Sequence, residues 1–224
     1  MVIRVDLRRC FESVTVARVR AVFAAVGYPS AVARALADLC TTTTPSERLV
    51  GMDPVHAAML RSRHLPQGAP TSPALANLVM RTLDRRITGY ARRHGLVYTR
   101  YGDDLAVSGV IEDPSAVVWV VGQIVADEGL TVHGRKTRIM YAHQQQRLTG
   151  LVVNDRPRVS RSEYDDLRAL LHNAIRSGAR AQNHDGVGNF EAHVRGRIAW
   201  VGFDNSTRRD TLLDMASRVD WADE

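Results

Sequence analysis

The stretch Tyr98-Thr99-Arg100-Tyr101-Gly102-Asp103-Asp104-Leu105-Ala106-Val107 decides the fold. Two short apolar, β-prone runs flank a Gly-Asp pair, a pattern that predicts a β-hairpin with Asp103 and Asp104 at its tip. Neighbouring carboxylates repel one another, and they become favourable when a divalent cation binds over them, because hard oxygen ligands suit Mg²⁺. A solvated acidic turn is the alternative. The metal site and the solvated turn are distinguished by whether other parts of the chain provide a further metal ligand and a binding site for a substrate.

Length and composition are those of a soluble globular protein. The 224 residues suffice for one large domain or two small ones, and 45% hydrophobic with 24% charged residues is ordinary for this class. No apolar run reaches the roughly 18 residues of a membrane span, and the first residues lack the apolar core of a signal peptide. With only two cysteines, Cys10 and Cys40, no disulfide framework is expected. These features predict a cytoplasmic protein with no membrane partner.

The charge is strongly biased towards arginine. A net charge of +6 and a pI near 9.9 favour an anionic partner, although a basic surface alone is a weak signal. Lys136 is the only lysine, and the other 29 basic residues are arginines. Genome composition explains such a bias. The single lysine either persists by chance or performs chemistry that arginine cannot.

The first part of the chain combines a strand with helices. Val2–Val5 is β-prone and ends at Asp6. Apolar residues recur at helical spacing over Val16–Val26, with Gly27 as the C-cap, and Pro29–Cys40 predicts a second helix. A polar break and a poorly patterned stretch follow. An acid at a strand end is commonplace, so Asp6 alone identifies no site.

A proline-rich loop, Leu65-Pro66-Gln67-Gly68-Ala69-Pro70-Thr71-Ser72-Pro73, leads into the next predicted helix. Ser72 is expected to N-cap this helix, Pro73 to begin it, and Arg93 to lie near its end. One interpretation is a well-capped helix entry. The other is a surface for phosphate and sugar, formed by free backbone amides at the helix N-terminus and the Gln67 side chain beside them.

The remainder of the chain changes from mixed structure to helix. After the hairpin, Asp113–Asp127 predicts a helix, Leu130–His133 a strand, Gly134–Arg138 a basic turn and Arg147–Val153 a further β-prone segment. The pattern over Ser160–Val219 is mostly helical. This shift predicts an α+β domain followed by a helical one. The eight histidines lack paired zinc spacing, so zinc chemistry is not expected.

Five of these motifs, in this order, resemble bacterial retron-type reverse transcriptases across nearly the whole chain. They are similar to the first catalytic motif, the nucleotide-binding loop, the polymerase signature, the later lysine motif and the thumb-entry motif: Asp6…Phe11, Leu65–Pro73, Tyr101–Asp104, Gly134–Thr137 and Leu148–Asn154. Two positions depart from the pattern, Gly102 where retrons more often carry alanine and Leu148 where valine is usual. Any one motif is modest evidence, whereas five together are highly specific.

The resemblance implies an α+β fold, with a polymerase palm over residues 1–154 and a mostly helical thumb over residues 155–224. The palm would be an antiparallel sheet with flanking helices. It also implies RNA-directed DNA synthesis, in which a nucleotide passes from a dNTP to a primer 3′ hydroxyl with two Mg²⁺ ions, or Mn²⁺ in their place. The implied metal ligands are three carboxylates and one backbone carbonyl: Asp6, Asp103, Asp104 and Leu7. Lys136 would lie near the leaving pyrophosphate, where an ammonium can give up a proton.

The same resemblance implies substrate contacts. Phe11 would stack under the incoming sugar and collide with a ribose 2′ hydroxyl, with core packing as its alternative. Gln67 and Gly68 would contact the nucleotide. Thumb residues implied to meet RNA phosphates, each with a solvated surface position as the alternative, are Arg156, Arg158 and Arg161. The implied partners are an RNA template, a structured non-coding RNA and nascent DNA, and the implied biological role is antiviral defence.

The resemblance further implies that the chain begins after the fingers subdomain of this family. We therefore expect a truncated gene or misassigned start, a split enzyme completed by a separate fingers-bearing chain, or a reduced enzyme with altered activity. An effector protein is a further expected partner. There are two alternatives to a polymerase. The first is a non-catalytic structured-RNA-binding module with a vestigial palm, and the second is a palm-fold nucleotide cyclase. The first is opposed by the retained residues Asp6, Asp103, Asp104 and Phe11. The Leu65–Pro73 loop with the helical tail argues against the second.

Overall fold

The computed structural model describes residues 1–222. They form two compact units, one of Met1–Tyr141 and one that begins at Ala142. The palm–thumb boundary predicted at residues 154 and 155 lies inside the second unit, because the hairpin that precedes it belongs to that unit. The functional division into palm and thumb stays a prediction.

The first unit is built on a four-stranded antiparallel sheet with the strand order β2-β3-β1-β4. Its strands are β1 (Val2–Asp6), β2 (Val97–Tyr101), β3 (Asp104–Ser108) and β4 (Arg138–Met140). The alternate residues Ile3 and Val5 of β1 are buried in the core, as are the β3 residues with which they pair. Because successive strand residues point to opposite faces, Arg4 and Asp6 lie on the other face.

Helices supply the rest of the core of the first unit. They are α1 (Cys10–Ser13), α2 (Val16–Ala25), α3 (Ser30–Leu39), α4 (Pro54–Arg61), α5 (Ser72–Val79), α6 (Arg81–Arg93) and α7 (Pro114–Asp127). Short 3-10 turns span Ser46–Leu49 and Gly134–Lys136. Leu83 and Ile87 of α6 and Val121 of α7 are buried in one cluster with the core face of the sheet. The α+β class predicted from the sequence is confirmed.

The helix predicted from Pro73 to Arg93 is wrong in two details. It is divided into α5 and α6, because the backbone leaves helical geometry at the buried Met80, with φ −80° and ψ 3°. Ser72 is the first helical residue and not the N-cap. Its hydroxyl instead donates a 2.6 Å hydrogen bond to the Pro66 carbonyl, which closes the preceding loop.

The strand predicted at Leu130–His133 is also wrong. This stretch meets the sheet through a single bridge between Val132 and Leu7, and the fourth strand is β4. The stretch before His64, whose apolar pattern predicted no element, contains α4. The start of α4 is marked by a capping residue and not by apolar periodicity. Its N-cap Asp53 accepts a hydrogen bond from the His56 amide.

The second unit comprises a hairpin and helices. They are β5 (Arg147–Leu148), β6 (Leu151–Val152), α8 (Arg161–Ser177), α9 (Phe190–Val201) and α10 (Ser206–Ser217), with a 3-10 turn at Arg180–Gln182. Ser160, Asn189 and Asn205 each accept a hydrogen bond from a first-turn amide, which explains where the three helices begin. The helical tail predicted beyond residue 160 is therefore present. Throughout residues 1–222, no helix has the length and apolar composition needed to cross a membrane.

Neighbouring leucines of α10 provide a matched test of the core of the second unit. Leu212 is fully buried, whereas Leu213 is 38% exposed. We expect Leu212→Ala to lower the free energy of unfolding by about 2–5 kcal/mol, because it leaves a cavity in a closed core. Leu213→Ala should lower it by less than about 1 kcal/mol. Urea unfolding followed by circular dichroism measures both changes, and equal losses would contradict this packing.

Candidate active site

The pairing of β1 with β3 brings together acids from distant parts of the chain. Asp6, the last residue of β1, lies directly opposite Asp104, the first residue of β3. Directly opposed residues of antiparallel strands have Cβ atoms about 5 Å apart. The Leu7 amide donates a 2.9 Å hydrogen bond to the Asp103 carbonyl, which fixes the end of β1 against the hairpin tip. The four predicted metal ligands therefore lie at one end of the sheet.

The predicted hairpin is present and closes in a tight two-residue turn, but only one of the two acids predicted at its tip, Asp103, lies in the turn, and Asp104 is the first residue of β3. Tyr101 pairs with Asp104, which leaves Gly102 and Asp103 as the turn residues. Gly102 has a φ of +61°, a conformation that glycine adopts without the steric cost of a Cβ atom. Asp103 is exposed at this tip, whereas Asp6 is buried.

Asp6 is a buried carboxylate whose cationic partner lies just beyond hydrogen-bonding distance. Its backbone carbonyl accepts a 2.7 Å hydrogen bond from the His133 amide. Among the residues described, its side chain pairs with Lys136, whose Nζ lies 3.6 Å from Oδ2. That distance exceeds a hydrogen bond, and the two side chains are 8% and 61% exposed, respectively. The 3-10 turn that follows His133 thus brings the only lysine beside Asp6.

Asp104, in contrast, is bound by an arginine that the motifs did not single out. Arg4 donates to Oδ1 from Nε and Nη2, at 2.9 and 2.8 Å, and to Oδ2 from Nη2 at 2.8 Å. Arg4 precedes Asp6 by two residues and so lies on the same face of β1. This spacing was visible in the sequence, but it identifies a shared face and not a partner.

A second arginine fixes the hairpin to the helices. The Arg100 side chain is 8% exposed and forms a forked ion pair with Asp84 of α6, at 2.8 Å from Nε and 2.7 Å from Nη2. Its Nη1 also donates to the Asn77 side chain of α5 and to the Gly102 carbonyl. Arg100 therefore holds the turn that carries Asp103, a role that the local sequence did not indicate.

Cys10 is a further residue near the acids that the sequence did not assign to the site. Its buried thiol contacts the Met80 sulfur at 3.8 Å. Burial, and to a smaller extent the nearby charge of Asp103, raise the pKa of the Cys10 thiol from 9.0 to about 11, and Asp6 acts in the same direction. The thiol is therefore neutral at pH 7 and adds no charge beside the carboxylates.

The chain turns sharply between Asp6 and the predicted sugar contact. Arg9 has left-handed backbone geometry, with φ 53° and ψ 43°, and α1 begins at the next residue. The Ser13 amide and hydroxyl both donate to the Arg9 carbonyl, at 3.0 and 2.9 Å. Phe11 is half-buried against the core of the first unit. That environment suits both interpretations of Phe11, core packing and a sugar contact.

The predicted nucleotide-binding loop presents an exposed turn. Gln67 and Gly68 are both exposed, and Gly68 has a φ of +85°. The hydrogen bond from Ser72 to Pro66 anchors this turn at the start of α5. The two residues are therefore accessible to a ligand.

The three predicted RNA-binding arginines lie in the second unit, just before α8 and at its start. Arg156 is exposed. Arg158 pairs with Asp155 at 3.3 Å, and Arg161 pairs with Asp165 at 3.4 Å. Surface pairs of this kind are weak, so they leave the guanidinium groups able to exchange partners.

The oxygen ligands at the end of the sheet fit a Mg²⁺ ion. Within residues 1–222, no group of three or more His, Cys, Asp or Glu side chains is placed to hold a metal ion, so Asp6, Asp103 and Asp104 do not together form such a group. Mg²⁺ is commonly held by one or two carboxylates and completed by substrate phosphates and water, so three protein carboxylates are not needed. A buried carboxylate whose cationic partner lies 3.6 Å away also favours a bound cation. Asp6, Asp103 and the Leu7 carbonyl could hold such an ion.

The raised pKa of Cys10 predicts a specific pH dependence of stability. The thiol of the unfolded chain loses its proton near pH 9, whereas the folded thiol keeps its proton until about pH 11. Its contribution to stability is therefore complete below pH 9 and is lost as the pH rises to about 11, by an amount on the order of 2 kcal/mol. Urea unfolding at pH 8 to 11 should show a shallower decline for Cys10→Ala than for the unsubstituted chain. Cys40→Ala is the control, and parallel declines for all three proteins would contradict this environment.

Comparison with known proteins identifies the family. Residues 1–154 match the reverse transcriptase (RNA-dependent DNA polymerase) family. The chain is 40% identical over 222 residues to the retron Mx65 reverse transcriptase of Myxococcus xanthus, covering 95% of this chain and 48% of that protein. It is 30% identical over 223 residues to the retron Ec86 reverse transcriptase of Escherichia coli, covering 98% and 60%. It is also 37% identical over 190 residues to the retron Mx162 reverse transcriptase of Myxococcus xanthus, covering 77% and 39%.

These matches confirm the resemblance drawn from the motifs. The matched family region, residues 1–154, includes the strand that ends at Asp6, the hairpin of Asp103 and the turn of Lys136. The chain spans about half the length of the curated relatives it matches. The chain belongs to the reverse transcriptase family, and the relatives it resembles are reverse transcriptases of retrons.

Proposed function

We propose that this chain carries the catalytic centre of a retron-type RNA-directed DNA polymerase. The reaction transfers a nucleotide from a dNTP to a primer 3′ hydroxyl opposite an RNA template. The observation that carries this proposal is the β1–β3 register, which places Asp6 opposite Asp104 beside the hairpin tip of Asp103. Family membership supports the same reaction.

In this proposal the acids at the end of the sheet hold the metal ions. Asp6 and Asp103 are the main carboxylate ligands, the Leu7 carbonyl is a further oxygen ligand, and Asp104 assists them. Two Mg²⁺ ions, or Mn²⁺ in their place, would activate the primer hydroxyl and neutralise charge on the triphosphate. Burial of Asp6 keeps its carboxylate in one position, which favours a fixed distance to the reacting phosphate.

Lys136 is assigned to the leaving group. Its ammonium lies 3.6 Å from the Asp6 carboxylate, and its side chain is 61% exposed, so it can turn towards a bound triphosphate. An ammonium can donate a proton to the departing pyrophosphate oxygen, whereas a guanidinium effectively cannot. This role explains the one lysine in an arginine-rich chain.

The nucleotide and nucleic-acid contacts follow from the same assignment. Phe11 limits the space at the sugar 2′ position, and the exposed turn of Gln67 and Gly68 contacts the nucleotide. The RNA-binding residues proposed in the second unit are Arg156, Arg158 and Arg161. The proposed partners are an RNA template, a structured non-coding RNA and nascent DNA in the bacterial cytoplasm, within an antiviral defence system.

Primer extension on an RNA template tests the reaction. With Mg²⁺ and dNTPs, we expect Asp103→Asn to abolish extension, because it removes a negative ligand from the metal site. Asp113→Asn is the matched control. Asp113 is an acid that caps α7, and asparagine is an equally good N-cap, so extension should be unchanged.

Two outcomes would redirect this assignment. Extension that survives Asp103→Asn would refute the role of that carboxylate. Selective binding of one structured RNA, equal in the unsubstituted chain and in Asp103→Asn and accompanied by no extension from either, would favour a non-catalytic RNA-binding module.

Sugar selection provides a separate test. We expect Phe11→Ala to reduce the preference for dNTPs over NTPs by at least about tenfold, because it opens space for the 2′ hydroxyl. Single-nucleotide incorporation with matched dNTP and NTP measures the ratio. Phe23→Ala, which truncates another half-buried phenylalanine of the same core, should leave the ratio unchanged. An unchanged ratio in Phe11→Ala would assign Phe11 to core packing alone.

A further inference from the structure

The three acids at the end of the sheet differ in what already binds them. Arg4 engages both oxygens of Asp104 through three hydrogen bonds of 2.8–2.9 Å. Asp6, within the described residues, has an ion pair at 3.6 Å, and Asp103 is exposed at the turn. Arg4 thus holds one carboxylate by hydrogen bonds. The other two are open only in the sense that no guanidinium of the described residues hydrogen-bonds them, since Asp6 is buried with Lys136 3.6 Å away and Asp103 is exposed.

We propose that Arg4 is a positioning residue that keeps the Asp104 carboxylate out of the metal-ligand set and leaves Asp6 and Asp103 as the carboxylate ligands. This inference rests on the proposed function, because it concerns the same site. It refines the role of Asp104 from an assisting ligand to an anchored neighbour.

The geometry of the pair makes Asp104 a poor ligand. Hydrogen bonds between a guanidinium and a carboxylate are charge-assisted, and the forked arrangement restrains both groups. A metal ion that recruited Asp104 would have to break this fork and approach the positive charge of Arg4. The pair is also partly shielded from water, with side chains 34% and 21% exposed, so screening weakens it less than a fully exposed pair.

The arrangement has a physical advantage before any metal binds. Asp6 and Asp104 lie directly opposite each other, and like charges at such positions destabilise a sheet. Arg4 lies on the same face and neutralises one of the two. A site with two open carboxylates then binds a metal ion weakly until the triphosphate supplies further oxygens, which matches the usual coordination of Mg²⁺.

The binding of Mn²⁺ to the full chain without nucleotide tests this proposal and requires no turnover. A bound ion raises the midpoint of thermal unfolding, Tm, by an amount set by its concentration relative to Kd. Each variant is compared with its own metal-free Tm, so a loss of stability does not enter the comparison. We expect Arg4→Gln to lower the apparent Kd by about tenfold, because the Asp104 carboxylate, no longer held by Arg4, can then coordinate the ion.

A matched control separates release of Asp104 from a general change in charge. Arg138 pairs with Arg4 across β1 and β4, lies on the same face, and donates to the Arg135 and Thr137 carbonyls. Arg138→Gln removes the same charge without freeing a carboxylate, so it should change Kd by less than about twofold. Arg4→Lys keeps the charge but loses the fork, and its Kd should lie between those of the unsubstituted chain and Arg4→Gln.

The double variant completes the test. In Arg4→Gln/Asp104→Asn the gain in affinity should disappear, because the released carboxylate is gone. A gain in Arg4→Gln no larger than in Arg138→Gln, or a gain that persists in the double variant, would overturn the proposal. Failure of the proposed function has a different signature, in which Asp6→Asn and Asp103→Asn both leave the Mn²⁺-dependent rise in Tm unchanged.

Discussion

The register of β1 against β3 is the constraint on which the site depends. Strand residues alternate between two faces, so a slip of one residue would turn Asp6 towards the core and Val5 away from it. Burial of Ile3 and Val5 opposes such a slip, since each side chain contributes roughly 2 kcal/mol by leaving water. Apolar packing on one face of the sheet therefore determines the positions of Asp6 and Asp104 on the other face.

Features that follow from a local pattern were predictable, and features that join distant residues were not. Alternating apolar residues and a Gly-Asp turn indicated the hairpin and the strand that ends at Asp6. The pairs Arg4–Asp104 and Arg100–Asp84 lack any such signal, because spacing along the chain does not reveal which side chains meet across a sheet or between a strand and a helix. The short β4 was likewise hidden, since its partners lie on β1 and not beside it in sequence.

The basic charge of the chain is unevenly distributed. Residues 1–141 contain 18 basic and 12 acidic residues, whereas residues 142–224 contain 12 of each. The net charge of +6 thus belongs to the first unit. In the second unit, arginines such as Arg158 and Arg218 pair with nearby acids. Net charge would therefore favour long-range attraction of a polyanion by the first unit and not by the second.

Arg9, with its left-handed backbone geometry, makes a sharp turn in the segment between Asp6 and Phe11. A non-glycine residue in this geometry costs about 1 kcal/mol or more, and the two hydrogen bonds from Ser13 help to maintain it. In the folded domain these hydrogen bonds restrain the path of the chain from Asp6 to the aromatic ring of Phe11. In the proposed role of Phe11 as a sugar contact, this turn would fix the direction in which the chain leaves Asp6 towards the aromatic ring.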